Sequence, residues 1–312
     1  MTLSPSSLFL LGCLLSVLFT PFSMSLAVKV RAVDTPDGRR KIHSSPTPRL
    51  GGAAVFLSVA IVALVFLPST PTRDAWLTGG ALLSALGVSD DVFSLSPRLK
   101  LFAMSVILLL PVCFGLAPKG LSVGTLLFPL PSLLSGLLAI LWTLLLTNAF
   151  NLMDGLDGLA ATQGIVVALF LAMAGIPLAA LLGGALFGFL PYNRKGLSLA
   201  VRPPRPLPTR SFLGDTGALL TGYTLALLSF GDGESVSLFL PLLFALPLYE
   251  VVSSFFRRLK KGKSPFAADR GHLHHRLLAT GYSPAAAVLL LSLYAILFGA
   301  LFLFAETVFP LF

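Results

Sequence analysis

Long apolar runs alternate with short polar loops along the whole chain. A helix needs about 20 apolar residues to cross a bilayer, and runs near that length recur. They predict spans over 5–27, 50–68, 75–92, 98–117, 131–150, 158–174, 176–192, 213–230, 236–256 and 284–306. The sixth and seventh are parted only by Gly175 and Pro177. The segment 117–130 is punctuated by Gly and Pro and predicts an outer loop, partly interfacial. No internal repeat and no soluble module interrupts this pattern. The prediction is an all-α polytopic integral membrane protein of about ten transmembrane helices, one domain over 1–312. The first 27 residues hold no Lys or Arg, whereas a secretory signal begins with a basic segment, so the first run reads as a retained span.

Composition agrees. Hydrophobic residues make up 55% and charged residues 11%, with a mean hydropathy of +0.90, against about a quarter charged in soluble domains. The net charge of +9 does not point to nucleic acid, because the basic residues lie in short loops between spans. Numbering those loops alternately puts all but two of the 22 basic residues, Arg73 and Lys119, on one side. The positive-inside rule makes that side cytoplasmic, with both termini outside. Cys13 and Cys113 fall inside apolar runs without metal-type spacing and read as small core residues.

The acids change the picture. Asp90, Asp91, Asp154, Asp157 and Asp215 all sit at span ends on the basic side. Carboxylates at a membrane boundary are costly unless paired, hydrated or metal-bound. Any one alone reads equally well as a helix cap; five from three span ends, flanked by Gly and Asn, predict a site. In "NAFNLMDGLDGLAA" (148–161), Asp154 and Asp157 are three apart, and Asn151 lies three before Asp154. On a helix these form one polar stripe. The adjacent pair in "GVSDDVFSLSPRLK" (87–100) would repel, a conflict that a divalent cation relieves. Hard oxygen donors suit Mg²⁺, with Mn²⁺ as a substitute, better than zinc. In "FLGDTGALLTGY" (212–223), Gly214 and Gly217 flank Asp215 at a helix start that suits phosphate. His272, His274 and His275 cluster in a basic loop with no zinc-type partner spacing, and read as phosphate or sugar contacts. Together these residues predict a metal-dependent phosphate site at the cytoplasmic face, beside lipid.

Five segments in order carry a resemblance: "DTPDGRRKIHSSPTPRLGG" (34–52), "SDDVFSLSPRLK" (89–100), "NAFNLMDGLDGLA" (148–160), "FLGDTG" (212–217) and "SPFAADRGHLHHRLL" (264–278). In them the chain is similar to the polyprenyl-phosphate N-acetylhexosamine-1-phosphate transferases, glycosyltransferase family 4. The resemblance implies that a membrane polyprenyl phosphate attacks the β-phosphorus of a UDP-sugar and UMP leaves. It implies Mg²⁺ held by Asp215, Asp90 and Asn151, and a catalytic role for Asp90, Asp91 and Asp215, with Asp91 deprotonating or positioning the lipid phosphate. Asn151, Asp154, Asp157, Asn193, Lys100 and Arg98 would meet diphosphate or nucleotide. Arg270, His272, His274 and His275 would shape the sugar side, with His43 and Arg49 on the same face. The loop "PFAADRGHLHHRLL" resembles the N-acetylglucosamine type, so UDP-N-acetylglucosamine is the first choice and UDP-MurNAc-pentapeptide the second. The implied setting is the bacterial cytoplasmic membrane; a homodimer stays open.

Two departures stand out. The family's Asp near "PLYE" is Glu250, one methylene longer, and the Arg/Pro-rich stretch "RKGLSLAVRPPRPLPTR" is longer than the family pattern. A secondary transporter also has many spans and intramembrane acids, but its site lies near the midplane between repeats. A lipid-binding scaffold explains the cations but not the Asp/Asn/Gly stretches.

Overall fold

The computed structural model describes residues 3–35, 46–194, 210–231, 233–262 and 271–308. Helix α1 (Pro5–Lys29) leads into a short hairpin of β1 (Val33–Asp34) and β2 (Thr47–Pro48). Then follow α2 (Gly51–Phe66), α3 (Pro71–Phe93), α4 (Pro97–Ile107), α5 (Leu110–Cys113), β3 (Gly120–Val123), β4 (Leu126–Pro129) and α6 (Ser132–Met153). The chain continues through α7 (Leu159–Met173), α8 (Pro177–Asn193), α9 (Gly214–Leu228), β5 (Ser235–Ser237), α10 (Leu240–Leu243), α11 (Ala245–Lys260), α12 (Leu273–Ala279) and α13 (Pro284–Val308). Helices α1, α6 and α13 are long and apolar enough to cross a membrane; α2, α7 and α8 are shorter apolar helices.

Local chemistry explains many boundaries. Ser4, Thr70 and Ser96 cap α1, α3 and α4, each followed by a proline that needs no donor at that position. Two expected spans are broken, and proline is the reason both times. The run 98–117 splits into α4 and α5, where Pro111 cannot continue the ladder of α4. The run 236–256 becomes β5, α10 and α11, with Pro241 restarting the helix after a turn. The fold is mostly helical, with short strands added. The expected loop 117–130 contains β3 and β4, and β5 joins them parallel to β3 in a three-stranded sheet of order β4-β3-β5. Along β3, Gly120 and Ser122 point inward and Leu121 and Val123 are half-buried, the alternation of a strand.

At the centre lies α9, buried on every side from Thr216 to Leu228. Its threonines are tolerated there because Thr221 and Thr224 donate to the carbonyls of Gly217 and Leu220, both at 2.7 Å. Trp76 Nε1 donates to Thr224 Oγ1 at 2.7 Å, and Tyr223 donates to the Ala75 carbonyl at 2.8 Å, so α3 and α9 are locked together. At its N-terminal end α9 touches α2 and α3 backbone to backbone. A Cβ on Gly52 would strike Gly217, and one on Gly87 would strike Thr216. The strap before α9 is pinned to the start of α2: Phe212 N donates to Pro48 O at 2.8 Å, and Gly52 N to Leu213 O at 2.8 Å. These contacts deliver Asp215 and Arg49 to the same end of the molecule.

Candidate active site

An open cleft of about 660 Å³ lies at that end. Its lining draws on the β1–β2 region, the end of α3, the α6–α7 turn, the segments flanking α9, and the start of α13. Asp91, Asn151, Asp154, Asp157, Asn193, Asp215 and His275 all face it, as do Asp34, Arg49, Arg194 and Arg210.

The polar stripe is built differently from the expected helix face. Helix α6 ends at Met153; Asp154 is its C-cap, and 154–158 is a turn closed by Gly158 at φ 83°. That left-handed backbone suits glycine and turns the chain into α7. The turn is clamped from outside. Gly158 N donates to Asn193 Oδ1 at 2.6 Å, and Asn193 Nδ2 donates to Ser211 O at 3.1 Å. Arg210 forms an ion pair with Asp157. Asn193, expected to meet substrate, is therefore buried and spends its amide on this clamp.

The α3 acids divide their work. Asp91 accepts from Asp215 N at 3.2 Å, Thr216 N at 3.3 Å and Thr216 Oγ1 at 3.0 Å. It satisfies donors that the first turn of α9 would otherwise leave bare. Asp90 accepts from Leu95 N at 2.6 Å and pairs with Lys100 Nζ at 2.8 Å. Lys100 also pairs with Asp215 at 2.7 Å, so one ammonium bridges Asp90 and Asp215. Asp90 is not among the cleft-lining residues, but its carboxyl touches that of Asp215 directly as well as through Lys100. Arg98 is exposed and away from the cleft. Arg49 reaches the cleft paired with Asp34.

The electrostatics are unbalanced. Asp154 is pushed up to about 8, chiefly by its withdrawal from water and then by repulsion from Asp215, Asp91 and Asp157. Beside it Asn151 Oδ1 is buried without a hydrogen-bond partner among the described residues. Among the described residues no three His, Cys, Asp or Glu side chains converge tightly enough to hold a metal ion by themselves. An orphaned amide oxygen beside crowded carboxylates fits Mg²⁺, which takes one or two carboxylates and fills its remaining positions with water and phosphate oxygens.

The histidines divide too. His275 lines the cleft, whereas His272 and His274 are buried behind it. His274 is held down at about 4, first by burial and then by the neighbouring His275. Its folded value lies below the 6.5 of a free histidine, so stability is lost as pH falls from about 6.5 towards 4. Between pH 7 and 5 the melting temperature of the protein is expected to drop further than that of His274→Asn; equal drops would refute this assignment. His43 and Arg270 lie outside the described residues, as does most of the Arg/Pro-rich stretch. Its flanks, Arg194 and Arg210, are cleft residues that sequence reasoning counted only as loop charges. A basic residue shortly before "FLGDTG" was the available signal for Arg210.

Comparisons with known proteins place the chain in a family. The model of glycosyl transferase family 4 matches residues 75–231. The chain is 33% identical over 313 residues to a probable undecaprenyl-phosphate N-acetylglucosaminyl 1-phosphate transferase of Bacillus subtilis, covering 93% of this chain and 82% of the relative. It is 32% identical to the decaprenyl-phosphate N-acetylglucosaminephosphotransferase of Mycobacterium tuberculosis, over 88% and 76% of the two chains. It is 29% identical to the undecaprenyl-phosphate alpha-N-acetylglucosaminyl 1-phosphate transferase of Escherichia coli K12, over 94% and 82%.

Proposed function

The chain belongs to glycosyl transferase family 4, and from that premise we propose that it transfers N-acetylglucosamine 1-phosphate from UDP-N-acetylglucosamine to undecaprenyl phosphate. A lipid phosphate oxygen forms a bond to the β-phosphorus. The bond from that phosphorus to the bridging oxygen breaks, and UMP leaves with the electron pair. The product is a diphosphate-linked sugar on the lipid. The reaction runs in one membrane domain of the bacterial cytoplasmic membrane, with the cleft and basic loops towards the cytoplasm and both termini outside.

One observation carries this reading: Asp154, Asp157, Asp215 and Asn151 line one cleft edged by Arg49, Arg194 and Arg210, with the buried Asn151 Oδ1 free of any hydrogen-bond partner among the described residues. Crowded acids alone would repel a diphosphate, and arginines alone would hold it without activating it. Mg²⁺ held by Asp215, Asp154 and the Asn151 oxygen would neutralise the charge gathering on the departing UMP. The chain's own groups do the rest. Asp91 holds the first turn of α9 so that Asp215 faces the cleft. Lys100 tethers Asp215 against Asp90. Arg49 and Arg194 supply positive charge for the phosphates, and His275 bounds the other wall.

The test is UMP release by purified protein with Mg²⁺ and undecaprenyl phosphate, given UDP-N-acetylglucosamine or UDP-MurNAc-pentapeptide in parallel. Lipid-dependent UMP from the first sugar, lost in Asp215→Ala, is expected. Release from the pentapeptide substrate alone would reassign the sugar, and release from neither would reject the reaction.

Arg210 gives a second prediction. Its removal leaves Asp157 unpaired next to Asp154, in a partly desolvated turn where a lost partner costs more than at an open surface. Arg210→Ala is expected to lower turnover about tenfold to a hundredfold. Arg210→Lys should restore part of it, because the charge returns without the planar fork. Wild-type turnover in Arg210→Ala would remove the clamp from the account.

A further inference from the structure

Behind the cleft a column of side chains runs from α11 to the cleft wall. Glu250, on α11, is buried at 2% exposure. One of its carboxylate oxygens accepts from Leu273 N at 2.7 Å, and the other faces His272 Nδ1 at 3.0 Å. Ser254, one turn further along α11, has its hydroxyl 3.4 Å from the same ring nitrogen. An ionised carboxylate only accepts, so Nδ1 of His272 carries the proton and the ring orientation is fixed. The His272 ring stacks on His274 with centroids 5.6 Å apart and planes 2° from parallel. His274 in turn lies 4.3 Å from His275, the histidine that faces the cleft. His274 also abuts the α6–α7 turn so closely that a Cβ on Gly155 would collide with its Nε2. Among the described residues neither ring nitrogen of His274 has a hydrogen-bond partner, so packing holds this ring.

A buried glutamate that spends both oxygens on one short segment determines where that segment sits. We propose that Glu250 is a positioning residue for the sugar-nucleotide side of the cleft, acting through the His272–His274 stack on His275 and on the turn that carries Asp154 and Asp157. It touches neither the cleft nor the reacting atoms. Its effect is expected on donor binding, because the wall it supports carries His275 and the turn of Asp154 and Asp157, which the proposed reaction gives to the diphosphate. The kinetic arm of its test rests on the proposed reaction; the spectroscopic arm does not.

The chain has four histidines, few enough for ring-nitrogen NMR of the full protein, labelled at histidine and reconstituted in lipid, to follow each one. In the wild type, His272 is expected to show a protonated, hydrogen-bonded Nδ1. Glu250→Gln keeps an acceptor for Leu273 N but loses the charge facing His272. It should shift the ring signals of His272, His274 and His275 together, with the melting temperature nearly unchanged. In the same variant KM for UDP-N-acetylglucosamine should rise about tenfold, as expected for losing one charge-assisted contact, while KM for undecaprenyl phosphate stays the same. A shift confined to His272, with His275 and KM unmoved, overturns the proposal. If Glu250→Gln does not fold, His272→Phe keeps a ring on the stack and removes the anchor; an unshifted His275 there overturns the proposal equally. If the wild type itself turns over no UDP-N-acetylglucosamine, the proposed reaction fails, and the movement of His275 still decides the role of Glu250.

Discussion

Asp154→Asn is expected to make the protein more stable and nearly inactive. Asp154 caps α6 in a turn where Asp215, Asp91 and Asp157 all repel it and little water screens it. In the free protein its negative charge is a cost, and an amide of the same shape removes that cost. The gain should be pH-dependent with a definite sign. The folded value of about 8 lies above the free value of 3.8, so folding takes up a proton between them, and wild-type stability falls as pH rises from about 4 towards 8. The asparagine variant should lack that fall, so its advantage in melting temperature widens across this range and levels off above it. Turnover should drop by about 10²–10³, the usual scale when one preorganised electrostatic group is lost from a reacting centre. Thermal melts at several pH values, read beside UMP release, check both halves. A less stable variant would mean that the carboxylate is held by contacts the cleft does not display.

Gly52→Ala is expected to inactivate the protein although Gly52 does not line the cleft. Its added Cβ would run into the backbone of Gly217, with the carbonyl carbon of Thr216 only 2.8 Å away. Backbone cannot swing aside as a side chain can, so the first turn of α9 must shift, and that turn carries Asp215. Overpacking of this kind costs about 1–3 kcal/mol of stability. Displacing Asp215 from Lys100 and from the cleft should remove most of the turnover. Gly80→Ala, on the neighbouring helix, is the control. There the nearest atom to a new Cβ is a leucine methyl, Leu220 Cδ1, at 3.3 Å, which can yield. Full activity in Gly52→Ala would show that α9 tolerates the shift and that its close seat on α2 is not what positions the acid.

Much of this site could be read in advance, for physical reasons. A carboxylate at the end of an apolar run has few innocent explanations, so Asp91, Asp154, Asp157 and Asp215 announce themselves by their setting. Loop charge located them at one face before any contact was known. Eight of the ten expected runs coincide with single helices because their prolines sit at helix starts or are tolerated within them. The other two are cut by Pro111 and Pro241, whose effect depends on whether the neighbouring turn can re-form. The hairpin of β3 and β4 was hidden because its glycines and prolines read as a loop, and the third strand, β5, joins it from more than a hundred residues away. Spacing also misled at Asp154 and Asp157: three apart suits a helix, but the glycines at 155 and 158 make a turn.

Partnerships between distant residues were the least legible. Nothing local tells that Arg210 pairs with Asp157, that Lys100 bridges Asp90 and Asp215, or that Asn193 clamps Gly158. The histidines show the same limit. As a run of letters, His272, His274 and His275 look alike, yet two are buried and one faces the cleft. Nothing in that run of letters shows that His272 pairs with Glu250, contributed by another helix.

The central claim is that the sugar travels with its phosphate. UDP-N-acetylglucosamine labelled with ³²P at the β-position, incubated with the protein, Mg²⁺ and undecaprenyl phosphate, separates that claim from simple sugar transfer. Phosphoryl transfer predicts the label in the lipid phase with an equal amount of UMP in water. Label that remains in water as UDP, while the sugar moves to the lipid, would contradict it.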